Sequence, residues 1–272
     1  MRCLRTRNRY RSLFLQAMKT KAILSLLLLV SIFAACSHAR QQQEPREISE
    51  SVKWNGKQYD LISVHPKKHQ IRMDWKDDVG ENFRSITNYE EYLSEKGENA
   101  LMITNAGIFM EDGTPLGLYV EDGKVQKETN RVQDAYGNFY MQPNGIFYLK
   151  DDLAEIMPTS KYDPTRMSLD FATQSGPLLV IDGEINDQFN KESKNLKLRS
   201  GVGVDLSGNA IFAISQGPVS FYEFATLFRE KYSCPNALYL DGVISRMYLP
   251  GIERTQKGGN FGAFISVLEK EG

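Results

Sequence analysis
The stretch RSGVGVDLSGNAIFAIS, Arg199 to Ser215, decides how the rest of the chain is read. Gly201–Asp205 and Ala210–Ser215 are short apolar runs containing Val202, Val204, Ile211 and Ile214, and Ser207-Gly208-Asn209 supplies the polar, glycine-containing reversal between them. The pattern predicts two buried strands joined by a turn. On the C-terminal side, Ser220-x-x-Glu223 is a capping-box pattern ahead of an amphipathic helix over 221–231, with Phe221, Phe224, Ala225 and Phe228 on one face. Ala237–Leu240 returns as a strand into Asp241-Gly242, and Phe264–Leu268 closes the chain. On the N-terminal side, Lys57–Val64 and Gln70–Trp75 flank a His-Pro-Lys-Lys turn and read as a β-hairpin, and Thr87-x-x-Glu90 caps a helix carrying Tyr89, Tyr92 and Leu93. Strand signals follow at Ala100–Thr104, Leu116–Glu121, Asn138–Met141, Ile146–Leu149, Ala154–Met157 and Pro177–Ile181, while Asp163-Pro164 can start a further helix. No internal repeat or linker breaks 52–272. The expected class is α+β: one β-rich domain with a mixed sheet flanked by two or three helices.

Hydrophobic residues are 41% and charged residues 25% of the 272, which excludes disorder or fibrous repeats as the main state. The formal charge of −1 hides an asymmetry, because residues 1–35 hold seven basic side chains and no acid. Without those seven, 26 basic face 34 acidic residues, a charge of −8, and an acidic body without a basic stripe argues against a nucleic-acid partner. From Met18 the chain reads MKTKAILSLLLLVSIFAACS, the basic, apolar and small-residue order of a secretory signal, with an apolar core shorter than the roughly 20 residues of a comfortable span. Ala34-Ala35-Cys36 resembles a bacterial lipoprotein signal. The expected organisation is a signal peptide over 1–35 (its arginine-rich 1–17 an over-extended start), a flexible tether over 36–51 lipidated at Cys36, and a domain over 52–272. Ser37 after the cysteine suits an outer-membrane anchor facing the periplasm. With Cys3 and Cys36 so assigned, no intrachain disulfide is expected.

His38 lies in the tether, and His65 and His69 bracket a turn containing Pro66, so neither a zinc helix nor a Ser-His-Asp triad has its parts. No cofactor is expected, and the sequence does not decide whether a metal is required. Catalysis would fall to carboxylates, arginines, amides and hydroxyls, and these gather at strand ends: Asn105 and Gly107 in Thr104–Phe109, Asn144 in Gly137–Gly145, Gln174, Ser175 and Gly176 before Leu178, Arg199 before Gly201, and Asp241-Gly242 after Leu240. Several such ends in one compact domain suggest a shared polar pocket.

The set TNAGIF, PLGLYVEDGK, GNFYMQPNGIFYL, ATQSGPLLVIDGEI, LRSGVGV, FAIS, YEFATLFR and CPNALYLDGVISRMYLP, in order from Ala100 to Pro250, resembles the phosphodiester glycosidase family, and its bacterial branch in particular. Where the animal branch has a triple-glycine run, this chain has Gly242-Val243-Ile244-Ser245 after Asp241. The resemblance implies hydrolysis of a sugar-1-phosphodiester, N-acetylglucosamine-1-phosphodiester-like, at the anomeric carbon–oxygen bond in the cell envelope. A phosphate monoester leaves readily, so one carboxylate and an arginine could suffice. Asp241 is then the base or nucleophile, Arg199 a bidentate phosphate clamp, and Glu121 the second carboxylate to inspect. Asn105, Gly107, Asn144, Gln174, Ser175, Gly176 and Gly242 form the expected substrate-binding set. The rival reading is an envelope lipoprotein that binds a glycan or wall-polymer phosphodiester without cleaving it.

Overall fold
The computed structural model describes residues 48–270 except Val243; the expected signal peptide, the lipidated Cys36 and residues 37–47 of the expected tether lie outside the described residues. The pair of strands around Ser207-Gly208-Asn209 forms as read. The Asp205 carboxylate accepts from the backbone N–H groups of Ser207 and Asn209, and Gly208 takes the positive φ of 81° that the reversal needs.

Three sheets make up the domain. The first has seven strands in the order β1 (Ser49–Trp54), β2 (Lys57–Val64), β13 (Ala210–Ser215), β12 (Ser200–Val204), β14 (Asn236–Asp241), β10 (Leu178–Ile181) and β11 (Glu184–Ile185). The second runs β16 (Arg254–Thr255), β15 (Met247–Leu249), β4 (Ala100–Asn105), β17 (Phe264–Glu269), β3 (His69–Asp74), and the third β6 (Lys124–Lys127), β5 (Tyr119–Glu121), β9 (Phe171–Ser175), β7 (Gly145–Lys150), β8 (Leu153–Pro158). Their inner faces share one core, to which the first sheet gives Ile62, Val202, Phe212 and Leu238, the second Met73, Met102 and Ile265, and the third Tyr119, Phe147 and Leu149. The outer face of the first sheet is covered by α2 (Phe221–Thr226), which continues as a π-helical turn through Lys231. Phe224 and Phe228 pack there on Tyr59, Leu179 and Ile211. The capping box at Ser220 and Glu223 closes in both directions. A second short helix, α1 (Ile86–Glu95), places Ile86, Tyr89 and Leu93 against Ile103 and Phe264 of the second sheet.

The expected α+β class with a mixed sheet is overturned. Every strand pairing is antiparallel, strands dominate the chain, and helix is confined to short segments rather than a flanking layer of two or three. The unbroken apolar runs arise because the first sheet is covered on both faces, as all six buried residues of β13 show, and a doubly covered antiparallel strand reads like a parallel one. Several local expectations also change. β2 and β3 are not a hairpin: the chain does reverse at 65–69, but β2 pairs with β1 and β13 while β3 pairs with β17. Ser85, not Thr87, caps α1 through its hydroxyl. Asn138–Tyr140 is a 3₁₀ turn rather than a strand. Asp163 closes a turn on Thr165 instead of opening a helix. The first strand begins at Ser49, inside the stretch read as tether.

Candidate active site
Strand alternation on β14 sends Leu238 and Leu240 into the three-sheet core and Tyr239 to the opposite face, and the register against β12 shifts between Tyr239 and Asp241. After Asp241 the chain crosses from the first sheet to the second, where Met247 pairs with Thr104 of β4 and the Thr104 hydroxyl donates to the Arg246 carbonyl (3.0 Å). That crossover brings Asn105, at the end of β4, to Asp241. Asn105 Nδ2 lies 3.3 Å from Asp241 Oδ2, and the Gly242 N–H donates to Oδ1 at 2.7 Å. Asp241 is half-buried, and loss of water raises its pKa to about 6, against the lowering effect of the Gly242 N–H.

Tyr239 stands behind the carboxylate. Its hydroxyl accepts from Asn138 Nδ2 at 3.4 Å, and burial, followed by the charge of Asp241, pushes the phenol well above its ordinary range. Gly242 is what leaves it room: a Cβ there would sit 2.3 Å from the Tyr239 hydroxyl. On the far side of the phenol lies Arg199, 1% exposed, its guanidinium 3.6 Å above the Phe221 ring and 5.6 Å from that of Tyr239. Nε donates to the Val219 carbonyl (2.9 Å) and Nη2 to the Asn195 carbonyl (3.0 Å). Burial draws its pKa down, and among the described residues it has no ion pair. Asp205, the acid that could have paired with it, is held within its own turn. The Nε–Nη2 edge is therefore committed to backbone carbonyls. Arg199 is a fixed, uncompensated positive charge behind Tyr239.

Glu121 is not brought to Asp241. Tyr119 and Val120 pair with Thr173 and Ala172, which puts Glu121 level with Phe171, about 13 Å of strand from Ser175, the residue that touches the end of β14. It accepts from the Trp75 N–H (3.3 Å). Burial, then the nearby Asp74 charge, raises its pKa to about 7. Asp74 is itself bound by Arg72 and the Tyr89 hydroxyl.

The remaining expected residues build the frame. The Ser175 hydroxyl donates to the Leu240 carbonyl (2.9 Å), fixing the strand end that carries Asp241. The Gln174 amide oxygen accepts from the N–H groups of Leu118 and Asn130, anchoring the segment that leads to Asn138. Asn144 donates to the Phe139 carbonyl (3.1 Å), and a Cβ on Gly176 would meet that carbonyl at 2.8 Å. Gly107 adopts φ 141°, with Thr173 Oγ1 3.1 Å from where its Cβ would stand. Sequence reasoning missed Tyr239 and noted Asn138 as a polar strand-end residue without placing it in the substrate-binding set; Ser200, the register partner of Asp241, shares a 2.8 Å hydroxyl hydrogen bond with Ser245. The Tyr-x-Asp spacing on one strand was the available signal for Tyr239. Among the described residues no three Asp, Glu, His or Cys side chains are gathered so as to hold a metal ion.

A family model described as phosphodiester glycosidase matches residues 98–261, a span that includes Asn105, Asn138, Arg199, Tyr239 and Asp241. The uncharacterized Escherichia coli (strain K12) protein YigE is 35% identical over 208 residues, covering 76% of this chain and 81% of that protein. Among solved structures, the catalytic domain of zebrafish N-acetylglucosamine-1-phosphodiester alpha-N-acetylglucosaminidase, auto-inhibited by its pro-peptide, superposes with a TM-score of 0.57 at 14% identity, covering 84% of this chain and 86% of that one. That likeness shows a shared fold.

Proposed function
The chain belongs to the phosphodiester glycosidase family, and we propose that it hydrolyses a sugar-1-phosphodiester, N-acetylglucosamine-1-phosphodiester-like, at the anomeric carbon–oxygen bond. The observation that carries the reading is the half-buried Asp241 with one amide donor on each oxygen, backed by Tyr239 and the unpaired charge of Arg199. A carboxylate titrating near 6 is ionised at neutral pH and basic enough to take a proton from water. Water attacks the anomeric carbon, Asp241 takes its proton, and the carbon–oxygen bond breaks with its electron pair leaving on the phosphate monoester. That leaving group is stable without full protonation, so a second carboxylate beside Asp241 is unnecessary. Asn138 and the Tyr239 hydroxyl, with Arg199 behind them, supply donors and positive potential on the side where the phosphate charge grows. Asp241 can alternatively attack the anomeric carbon itself, and the anomeric configuration of the released sugar distinguishes the two routes.

Purified protein is mixed with the methyl diester of N-acetylglucosamine-1-phosphate, and free reducing sugar is followed. Steady release, absent in Asp241→Asn, supports the reading; binding without release favours the non-catalytic envelope protein. The small-residue run before Cys36 supports an envelope location with a lipid anchor at that cysteine. Cys36→Ser is expected to leave the protein unprocessed or soluble on fractionation, and a variant still cleaved and lipid-anchored would refute the anchor.

A further inference from the structure
Asn105 is fully buried, and only half of its amide is used. Nδ2 donates to Asp241, while Oδ1 has no hydrogen-bond partner. A buried amide oxygen without a partner is rare, and such atoms are normally satisfied by water or by a ligand. Five other buried side-chain atoms among the described residues share this state, on His69, Trp75, Asn82, Tyr119 and Arg254, and none of these residues bonds to Asp241. Turning the amide round gives no relief, because Oδ1 would then face an ionised carboxylate, acceptor against acceptor. The charge of Asp241 therefore fixes which end of the amide is free. β4 holds the residue rigidly: Asn105 pairs with Phe264, the next N–H (Ala106) donates to the Ala263 carbonyl at 2.9 Å, and the Ala106 carbonyl accepts from Thr173 Oγ1.

The free atom is an acceptor, so it cannot serve a phosphate oxygen. The donors, Asn138 and the Tyr239–Arg199 pair, lie on the side of β14 that Tyr239 faces, and Asn105 reaches Asp241 from β4. We infer that Asn105 reads a hydrogen-bond donor of the sugar, a hydroxyl or amide N–H on the carbon beside the anomeric centre, through Oδ1 while Nδ2 orients Asp241. This rests on the reaction proposed above, since it takes Asp241 to stand at the anomeric carbon. The site then discriminates by chemistry: sugars bearing a donor at that position fill the vacant acceptor, and 2-deoxy sugars leave it buried and unmet. Sites built to receive a donor reject ligands lacking it far more strongly than sites that only miss a methylene.

The full chain is titrated calorimetrically with a non-hydrolysable analogue of the N-acetylglucosamine-1-phosphate methyl diester, a methylene replacing the bridging oxygen, and with its 2-deoxy counterpart. The wild type is expected to bind the 2-deoxy compound about tenfold or more weakly, and in Asn105→Leu the two affinities should fall within about twofold. Asn105→Ser serves the same purpose if the leucine variant does not fold. Loss of the Nδ2 donor is also expected to move the acid limb of kcat/KM to higher pH, which a merely structural role would not do. An undiminished 2-deoxy penalty in the variants, no penalty in the wild type, or no binding of either compound overturns the inference. Tight, discriminating binding with no hydrolysis of the true diester would instead sink the proposed reaction and leave the role of Asn105 standing.

Discussion

Two of the carboxylates that end strands, Asp241 on β14 and Glu121 on β5, are raised by burial above the usual carboxylate range, to about 6 and about 7. Their neighbours differ. Asp241 receives one N–H donor on each oxygen and is only partly exposed, with a phenol and, among the described residues, a guanidinium without an ion pair behind it. Glu121 faces another acid, Asp74, and one backbone N–H, at the seam between β3 and β5. A raised carboxylate pKa thus marks two very different places: one a donor-rich strand end, the other a like-charge contact within the packing. Charge tells them apart only when read with geometry.

The largest expected contrast is catalytic. Asp241→Asn should lower turnover of the sugar-1-phosphodiester at least about a hundredfold, while Glu121→Gln leaves it within a few-fold, measured as released reducing sugar. Equal losses would dissolve the distinction. Next comes Gly242→Ala, whose Cβ must displace the Tyr239 hydroxyl. A loss of about tenfold in kcat with little change in melting temperature would confirm that the phenol belongs to the site. Arg199→Lys keeps the charge but neither the flat stack on Phe221 nor both carbonyl contacts. It should cost about 1–3 kcal/mol of stability by denaturant titration and weaken phosphodiesters more than substrates with neutral leaving groups.

The smallest effect is linkage. Both acids bind their proton more tightly in the folded state than in the unfolded one, so each contributes a loss of stability as pH rises: from about 3.8 to about 6 for Asp241, and from about 4.5 to about 7 for Glu121. Above pH 7, Asp241→Asn and Glu121→Gln should therefore each stabilise the fold, by about 1–2 kcal/mol. A destabilised Asp241→Asn would mean that its charge holds the structure together.

Much of this was legible in the chain. Strand positions, the Ser220–Glu223 box and the helix after it follow from local chemistry, and so do Asn105 and Asp241 as polar strand ends. Sheet type was not legible, because β12 and β13 are buried on both faces and carry no alternation to betray an antiparallel partner. Nor was partnership: the turn at His65 reverses the chain, but local residues do not say that β2 and β3 leave for different sheets. Glu121 was grouped with Asp241 because sequence shows type without register, and Tyr239 was not singled out because its ring lies in an apolar run. Arg199 was read as a bidentate phosphate clamp; its contacts with the Val219 and Asn195 carbonyls, 20 and 4 residues away, are not legible locally.

The pH dependence of kcat/KM, measured on the wild type and on Glu121→Gln, tests the central assignment most directly. If Asp241 is the working carboxylate, activity falls on the acid side with an apparent pKa of about 6, and the limb is unchanged in Glu121→Gln. A limb near 7 that disappears with Glu121 would contradict it and move the chemistry to the other strand end.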